Sequence, residues 1–165
     1  MQANRQATTI ELAKEAMKFS AGHFTIFSAS ERERLHGHNF TVYAAITGPV
    51  DDNGMLTDYV PVKRALFELC AEYNEYFLLP GESPHLRLRE EGVMVIAEFN
   101  GEDIPFRRGD VRVLPIRNVT VEELARLFTA RLVDEGRLGE QVTSLTVKVS
   151  SGPGQWGSHR WEAGA

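Results

Sequence analysis

In the stretch "ERERLHGHNF", His36 and His38 stand one residue apart, with charged residues before them and an apolar run after them. In an extended strand, residues i and i+2 point the same way, so both imidazoles would project to one side. The preceding segment carries a third imidazole, His23, in "FSAGH". If the two segments pair as a hairpin through a loop over 24–35, His23 reaches the same place. Three neutral imidazoles suit Zn²⁺, which binds histidine nitrogen at about 2.0–2.1 Å. A three-histidine set leaves the fourth position open, the arrangement of a catalytic zinc site. Against this, His-x-His arises often by chance, and a histidine in a strand is commonly a surface or hydrogen-bonded residue. His85 and His159 fall in expected loops and are read as solvated.

The elements that must hold these residues follow from the patterning. Phe19, Ala21 and His23 share one face of an alternating segment, and "HNFTVYAAITGPV" alternates more clearly, with Phe40, Val42 and Ala44 opposite Asn39, Thr41 and Tyr43. "DDNG" at 51–54 is a strong turn. Val62, Ala65, Leu66, Leu69, Cys70 and Tyr73 recur at helical spacing, with Pro61 near the start and Pro80 beyond the end. Residues 85–116 read as two or three short antiparallel strands, broken at Gly92 and at Asn100-Gly101. "NVTVEELARLFTARLVDEG" reads as a second amphipathic helix, with Thr120 and Glu123 as a capping box and Gly136 as the stop. "SLTVKVSS" is a final strand before a loose glycine-rich tail. Residues 1–8 read as a flexible N-terminal tail, and 9–165 as a single domain. The order is that of an α+β fold, an antiparallel sheet with two helices on one face.

At 165 residues the chain is long enough to bury a real core, and it shows neither repeats nor low-complexity segments. A formal charge of -5 argues against general binding to nucleic acid or anionic lipid, though a local basic pocket can still hold a phosphorylated small molecule. The apolar runs are too short to span a membrane, and the polar start lacks the apolar core of a secretion signal, so a cytoplasmic location is expected. One cysteine, Cys70, excludes an internal disulfide.

"FSAGH", then "LHGHNF", then "GMLTDYVPVK" resembles the 6-pyruvoyltetrahydropterin synthase / 6-carboxytetrahydropterin synthase family, over about Lys18 to Val149. The resemblance implies His23, His36 and His38 as zinc ligands. It implies a four-stranded antiparallel sheet with two helices on one face, the tunnelling or T-fold, in which residues 85–113 would be an inserted hairpin. It also implies trimers or hexamers with active sites between subunits, acting on 7,8-dihydroneopterin triphosphate. Family members eliminate triphosphate to give 6-pyruvoyl or 6-carboxy products with a cysteine and an Asp-His pair. Others, with a glutamate near the cysteine position, cleave the side chain to 6-hydroxymethyldihydropterin.

This chain departs from the cysteine pattern. Arg32 stands where the cysteine would, and Glu33 matches the glutamate pattern "E-x-LHGHN", so Glu33 is the expected base. The alternative is that Glu31 and Glu33 belong to a solvated charged loop. The Asp-His pair falls on Asn74 and Glu75; Asn74 cannot relay a proton, whereas Glu75 can act as a base or be merely solvated. Ser151 stands where the family anchors the pterin with a glutamate, and a hydroxyl makes a weaker contact. Glu122 falls on a second pterin-contacting glutamate, with Thr120 beside it, although both also suit the first turn of a capped helix. The expectation is a zinc-dependent lyase on a reduced pterin, with side-chain cleavage favoured. The rivals are a divergent homologue binding zinc and another heterocycle, and a non-catalytic pterin-binding oligomer.

Overall fold

The computed structural model describes residues 7–164. In chain order these form β1 (Ala7–Leu12), β2 (Lys18–His23), β3 (His36–Pro49), α1 (Val60–Tyr73), β4 (Tyr76–Pro80), β5 (Leu86–Glu91), β6 (Met94–Phe99), β7 (Glu102–Arg107), β8 (Val111–Leu114), α2 (Val121–Asp134), β9 (Ser144–Ser150) and β10 (Gly157–Glu162). The main sheet runs β10-β9-β3-β2-β4-β8. β3 is long enough for two partners on one edge: β2 pairs with its first half and β1 with its second.

The α+β class stands, and the strand count is larger than expected. The four-stranded antiparallel sheet is a seven-stranded one, in which β4 lies parallel to both β2 and β8. β4, "YFLLP", had been hidden in the apolar run after α1; Glu75, at φ 66°, turns the chain out of the helix there. The inserted hairpin is a three-stranded antiparallel sheet, β5-β6-β7, turning at Gly92 and at Asn100-Gly101, where all three residues have positive φ. The stretch read as a loose tail supplies β10, and this corrects the placement of His159 in a solvated loop. His159 pairs with Val147, is half-buried, and its Nδ1 is enclosed without a partner. The flexible tail expected over 1–8 overlaps the described chain at Ala7 and Thr8, which pair with Pro49 and Gly48; residues 1–6 lie outside the described residues.

Alternation along the strands decides what the sheet buries. Phe19 and Ala21 from β2, Phe40, Val42, Ala44 and Ile46 from β3, and Leu145, Val147 and Val149 from β9 all turn to one side. Both helices cover that side with Val62, Leu66 and Leu69 from α1 and with Leu124, Phe128 and Leu132 from α2. Phe19 stacks on Phe40 at 5.0 Å and on Phe128 at 6.0 Å. Cys70 lies inside this core as expected, and burial pushes its thiol pKa up to about 12, which disfavours the nucleophilic thiolate. A second, smaller core joins the three-stranded sheet to the main one through Phe24, Ile26, Leu79, Leu86, Val95 and Phe99. No helix among the described residues is long and apolar enough to cross a membrane.

β10 is held against the start of α2 by close backbone approach. A Cβ on Gly157 would lie 2.4 Å from Val121 carbonyl carbon and 2.6 Å from Glu122 N, both backbone atoms that cannot swing aside. Gly157→Ala is therefore expected to lower stability by about 1–3 kcal/mol through overpacking, read as a reduced melting temperature.

Candidate metal centre and its surroundings

The core-facing rows of β2 and β3 end in histidines. The antiparallel register sets His23 opposite His36 and Ala21 opposite His38, so the three imidazoles gather at the rim of the core. Their ring centroids lie 4.6 Å (His23–His36), 5.1 Å (His23–His38) and 4.8 Å (His36–His38) apart. Each offers a nitrogen within 4.8 Å of the others. Phe40 floors the site, its ring edge-on to His23 at 5.6 Å and to His38 at 5.7 Å. Gly22 lets β4 close over this hairpin: a Cβ there would meet the Phe77 ring at 2.4 Å.

The backbone sets the tautomers. His23 Nδ1 is 2.8 Å from the Val119 carbonyl, and His36 Nδ1 is 2.7 Å from the Arg34 carbonyl. A carbonyl can only accept, so each Nδ1 carries the proton and each Nε2 presents a lone pair. His23 is 5% exposed, and its Nε2 is buried with no hydrogen-bond partner. His36 Nε2 and His38 Nε2 approach to 3.0 Å. Two nitrogens held by one tetrahedral ion at about 2.0–2.1 Å lie roughly 3.3 Å apart, so this spacing matches shared coordination. Burial holds the His23 imidazole below the ordinary histidine range, against the pull of the Val119 carbonyl, with His36 and His38 adding to it. Burial first, and then His36, lowers His38 in the same way. An orphaned buried lone pair on His23 Nε2, two imidazoles, His23 and His38, that burial disfavours as cations, and carbonyls fixing the far nitrogens of His23 and His36 form a donor set that fits Zn²⁺.

Glu33 sits beside this cluster, its Oε2 3.8 Å from His36 Nε2. Its loop folds back on β2: Glu33 N–H donates to Thr25 O at 2.8 Å, and Thr25 N–H donates to Glu33 Oε2 at 2.9 Å. Burial acts to raise the Glu33 carboxyl, but the Thr25 bond and the imidazoles of His36 and His23 together outweigh it and hold its pKa below the usual glutamate value. The group is thus a carboxylate at neutral pH, able to accept a proton. The opposite wall of the loop is clamped by Asn118, whose side chain accepts from Ile26 N–H at 3.1 Å and donates to Ile26 O at 2.8 Å.

Thr120 follows directly on Val119 and caps α2, its hydroxyl accepting from Glu123 N–H at 3.3 Å. Glu122 is exposed in that first turn, while Glu123 binds Arg126 and the Arg117 N–H. Ser151 opens the β9–β10 loop and accepts from the Gln155 amide at 3.4 Å. Contact of Gly157 with Val121 and Glu122 draws that loop's far end to the α2 start, so Thr120, Glu122 and Ser151 belong to the histidine end of the sheet. Glu75 lines an open cleft of about 500 Å³ together with His38, Ser20, Gly22 and Asn39. The last three alternate onto the sheet face away from His23 and His36, so Glu75 approaches the cluster only from the His38 side. Asn74 accepts from Ser20 N–H at 2.9 Å, a structural bond joining the end of α1 to β2.

Val119 and Asn118 are the positioning residues that sequence reading missed. Val119 acts through a backbone carbonyl, which leaves no trace in residue type. Asn118 precedes the α2 cap and looks like an ordinary turn residue.

The family described as 6-pyruvoyl tetrahydropterin synthase matches residues 11–162. A protein of Methanocaldococcus jannaschii provisionally named 6-carboxy-5,6,7,8-tetrahydropterin synthase is 28% identical over 149 residues, covering 87% of this chain and 90% of that protein. A like-named protein of Pyrococcus horikoshii is 27% identical over 137 residues, covering 82% and 81%. Among solved structures, the 6-pyruvoyl tetrahydropterin synthase of Plasmodium vivax superposes with a TM-score of 0.86 at 23% identity, covering 95% of this chain and 99% of that one. A variant of the same Plasmodium enzyme, with a catalytic glutamate changed to alanine, superposes at 0.85 and 22% identity. These likenesses establish the fold.

Proposed function

The chain belongs to the 6-pyruvoyl tetrahydropterin synthase family, and from that premise we propose a zinc-dependent lyase acting on 7,8-dihydroneopterin triphosphate or a related reduced pterin. The observation that carries this is the buried, unpartnered His23 Nε2 among three imidazoles, with the Glu33 carboxylate 3.8 Å from His36. His23, His36 and His38 would hold the metal, which when bound would supply Lewis acidity toward a substrate hydroxyl. Glu33 takes the proton of a side-chain hydroxyl. The carbon–carbon bond next to that hydroxyl then breaks as its carbon becomes a carbonyl. The electron pair goes to the carbon attached to the pterin ring, which takes up a proton. The products are a 6-hydroxymethyldihydropterin and a phosphorylated aldehyde. Burial around His23 and the Phe40 floor keep bulk water from one side of the site.

A glutamate base is in keeping with the catalytic glutamate of the Plasmodium vivax enzyme. The archaeal relatives carry the name of the other outcome, a 6-carboxy product. This chain has no cysteine in the loop over 24–35 to serve that route, and Glu33 favours cleavage. Thr120, Glu122 and Ser151 are proposed to contact the pterin. Glu75 is proposed as a second proton carrier, working from the cleft that it lines together with His38. The proposal includes a homo-oligomer, trimer or hexamer, joined through the sheet edges at β8 and β10, and a cytoplasmic protein without nucleic-acid or membrane partners.

The test incubates zinc-loaded protein with 7,8-dihydroneopterin triphosphate and follows products by chromatography and mass. A 6-hydroxymethyldihydropterin is the expected result. A 6-pyruvoyl or 6-carboxy product would overturn the assigned outcome, and zinc-loaded protein that binds the pterin without turnover would overturn the enzyme reading. That second reading, a non-catalytic pterin-binding oligomer, rests on Ser151 replacing a carboxylate and on Asn74 being engaged as a structural bond.

A further inference from the structure

Arg32 makes an arrangement that none of the chemistry above uses. Its guanidinium carbon lies 5.2 Å from the Phe24 ring centroid and 5.6 Å from that of Phe99. Both rings are fixed: Phe24 is 1% exposed and Phe99 6%, within the smaller core that ties the three-stranded sheet to the main one. The backbone of Arg32 bridges to Ile26, the residue clamped by Asn118. Its Nη1 donates to the carbonyl of Glu33 at 2.8 Å.

That last bond orients the peptide plane between Glu33 and Arg34. The next carbonyl along, that of Arg34, is the one bonded to His36 Nδ1. The Glu33 main chain is therefore set at both ends, by Thr25 at its N–H and by Arg32 at its carbonyl, while Thr25 N–H holds its carboxylate. A guanidinium suits this task because its planar faces engage aromatic rings while its edge still donates, which a lysine ammonium cannot do together.

We propose that Arg32 is a positioning residue for Glu33, and that Phe99 at the end of β6 holds Arg32, so that the three-stranded sheet serves as the outer support of the catalytic loop. This rests on the reading of Glu33 as the base. Arg32 touches no reacting atom; it keeps the carboxylate in register with the imidazoles. Misplacing a base by a fraction of an ångström weakens proton transfer more than it weakens substrate binding.

The test measures kcat, KM and bound zinc for Arg32→Met, Arg32→Lys, Phe99→Leu and the Arg32→Met/Phe99→Leu double variant, each well below its melting temperature. Arg32→Met keeps the apolar stem and is expected to lower kcat on the order of 10–100-fold, the effect of losing an outer-shell partner, with KM and zinc content near wild type. Arg32→Lys is expected to restore only a small part of kcat. Phe99→Leu, which preserves apolar packing, is expected to lower kcat in the same direction, and the double variant to be no worse than Arg32→Met alone, since both remove one arrangement. An Arg32→Met enzyme with wild-type kcat, alongside a Glu33→Gln enzyme that is inactive, overturns the positioning role and leaves the base assignment standing. Equal losses in KM and zinc content overturn it too, as they mark general damage to the loop. A Glu33→Gln enzyme with full kcat overturns the base reading itself, and the Arg32 role with it.

Discussion

His36→Ala is expected to abolish tight zinc binding while leaving the fold intact. His36 is exposed at the mouth of β3, so its removal opens no buried cavity. What it takes away is one of three nitrogens gathered within 4.8 Å, including the partner 3.0 Å from His38 Nε2. Two imidazoles bind a divalent ion far more weakly than three. The loss should exceed the roughly 10–100-fold that follows removal of an outer-shell partner. His23→Ala is a poorer test, because it also leaves the buried Val119 carbonyl without its donor, which costs about 1–3 kcal/mol of stability. The measurement is metal content after dialysis, together with the melting temperature with and without added zinc. For wild type, zinc at 100 times its dissociation constant should stabilise the folded state by about 2.7 kcal/mol. For His36→Ala the shift should vanish, while the zinc-free melting temperatures of the two proteins agree. A His36→Ala protein that keeps stoichiometric zinc would sink the three-histidine centre.

The parts of this site that were legible in the sequence are those carried by local periodicity. The alternation of Phe19, Ala21 and His23, and of His36, His38 and Phe40, states which side chains share a face, and the antiparallel register then aligns His23 with His36. The helices were equally plain, since the apolar positions of α1 and the Thr120 cap of α2 are local signals. What escaped was set by contacts distant in sequence. β4 pairs in parallel with β2 and β8, and nothing within "YFLLP" distinguishes a parallel strand from the continuation of a helix. β10 does alternate, burying Gly157, half-burying His159 and Trp161 and exposing Ser158, Arg160 and Glu162. Its buried start is a glycine, chosen for backbone approach to α2, and the Gly152-Pro153-Gly154 stretch just before it reads as loop. The carbonyls of Val119 and Arg34 that fix two imidazoles are invisible for a stronger reason: every residue has one. Arg32 could be seen as a departure from the cysteine pattern, but the Phe24 and Phe99 rings that frame it come from either side of it in the chain.

Glu33→Gln is expected to lower kcat by about 10²–10⁴-fold, the range removed when a positioned general base is lost, while zinc content stays at the wild-type level. Glutamine is the informative replacement. Its amide oxygen can still accept the Thr25 N–H, so the loop keeps the bond at 2.9 Å that orders it, and its volume matches the carboxylate. The change removes the negative charge and the capacity to take a proton, and little else. The carboxylate's pKa is held low by Thr25 and by the nearby imidazoles despite burial, so at neutral pH nearly every wild-type molecule carries the proton acceptor. At 3.8 Å from His36 Nε2, Glu33 is close enough to act on a hydroxyl brought to the cluster, and it lies outside the trio of nitrogens that the orphaned His23 Nε2 completes. Kinetics and metal content therefore separate the roles. If Glu33→Gln loses zinc along with activity, the carboxylate is a ligand and the proton acceptor must be sought elsewhere, with Glu75 the next candidate. If activity falls and zinc remains, the division of labour between three imidazoles that hold a cation and one carboxylate that moves a proton is established.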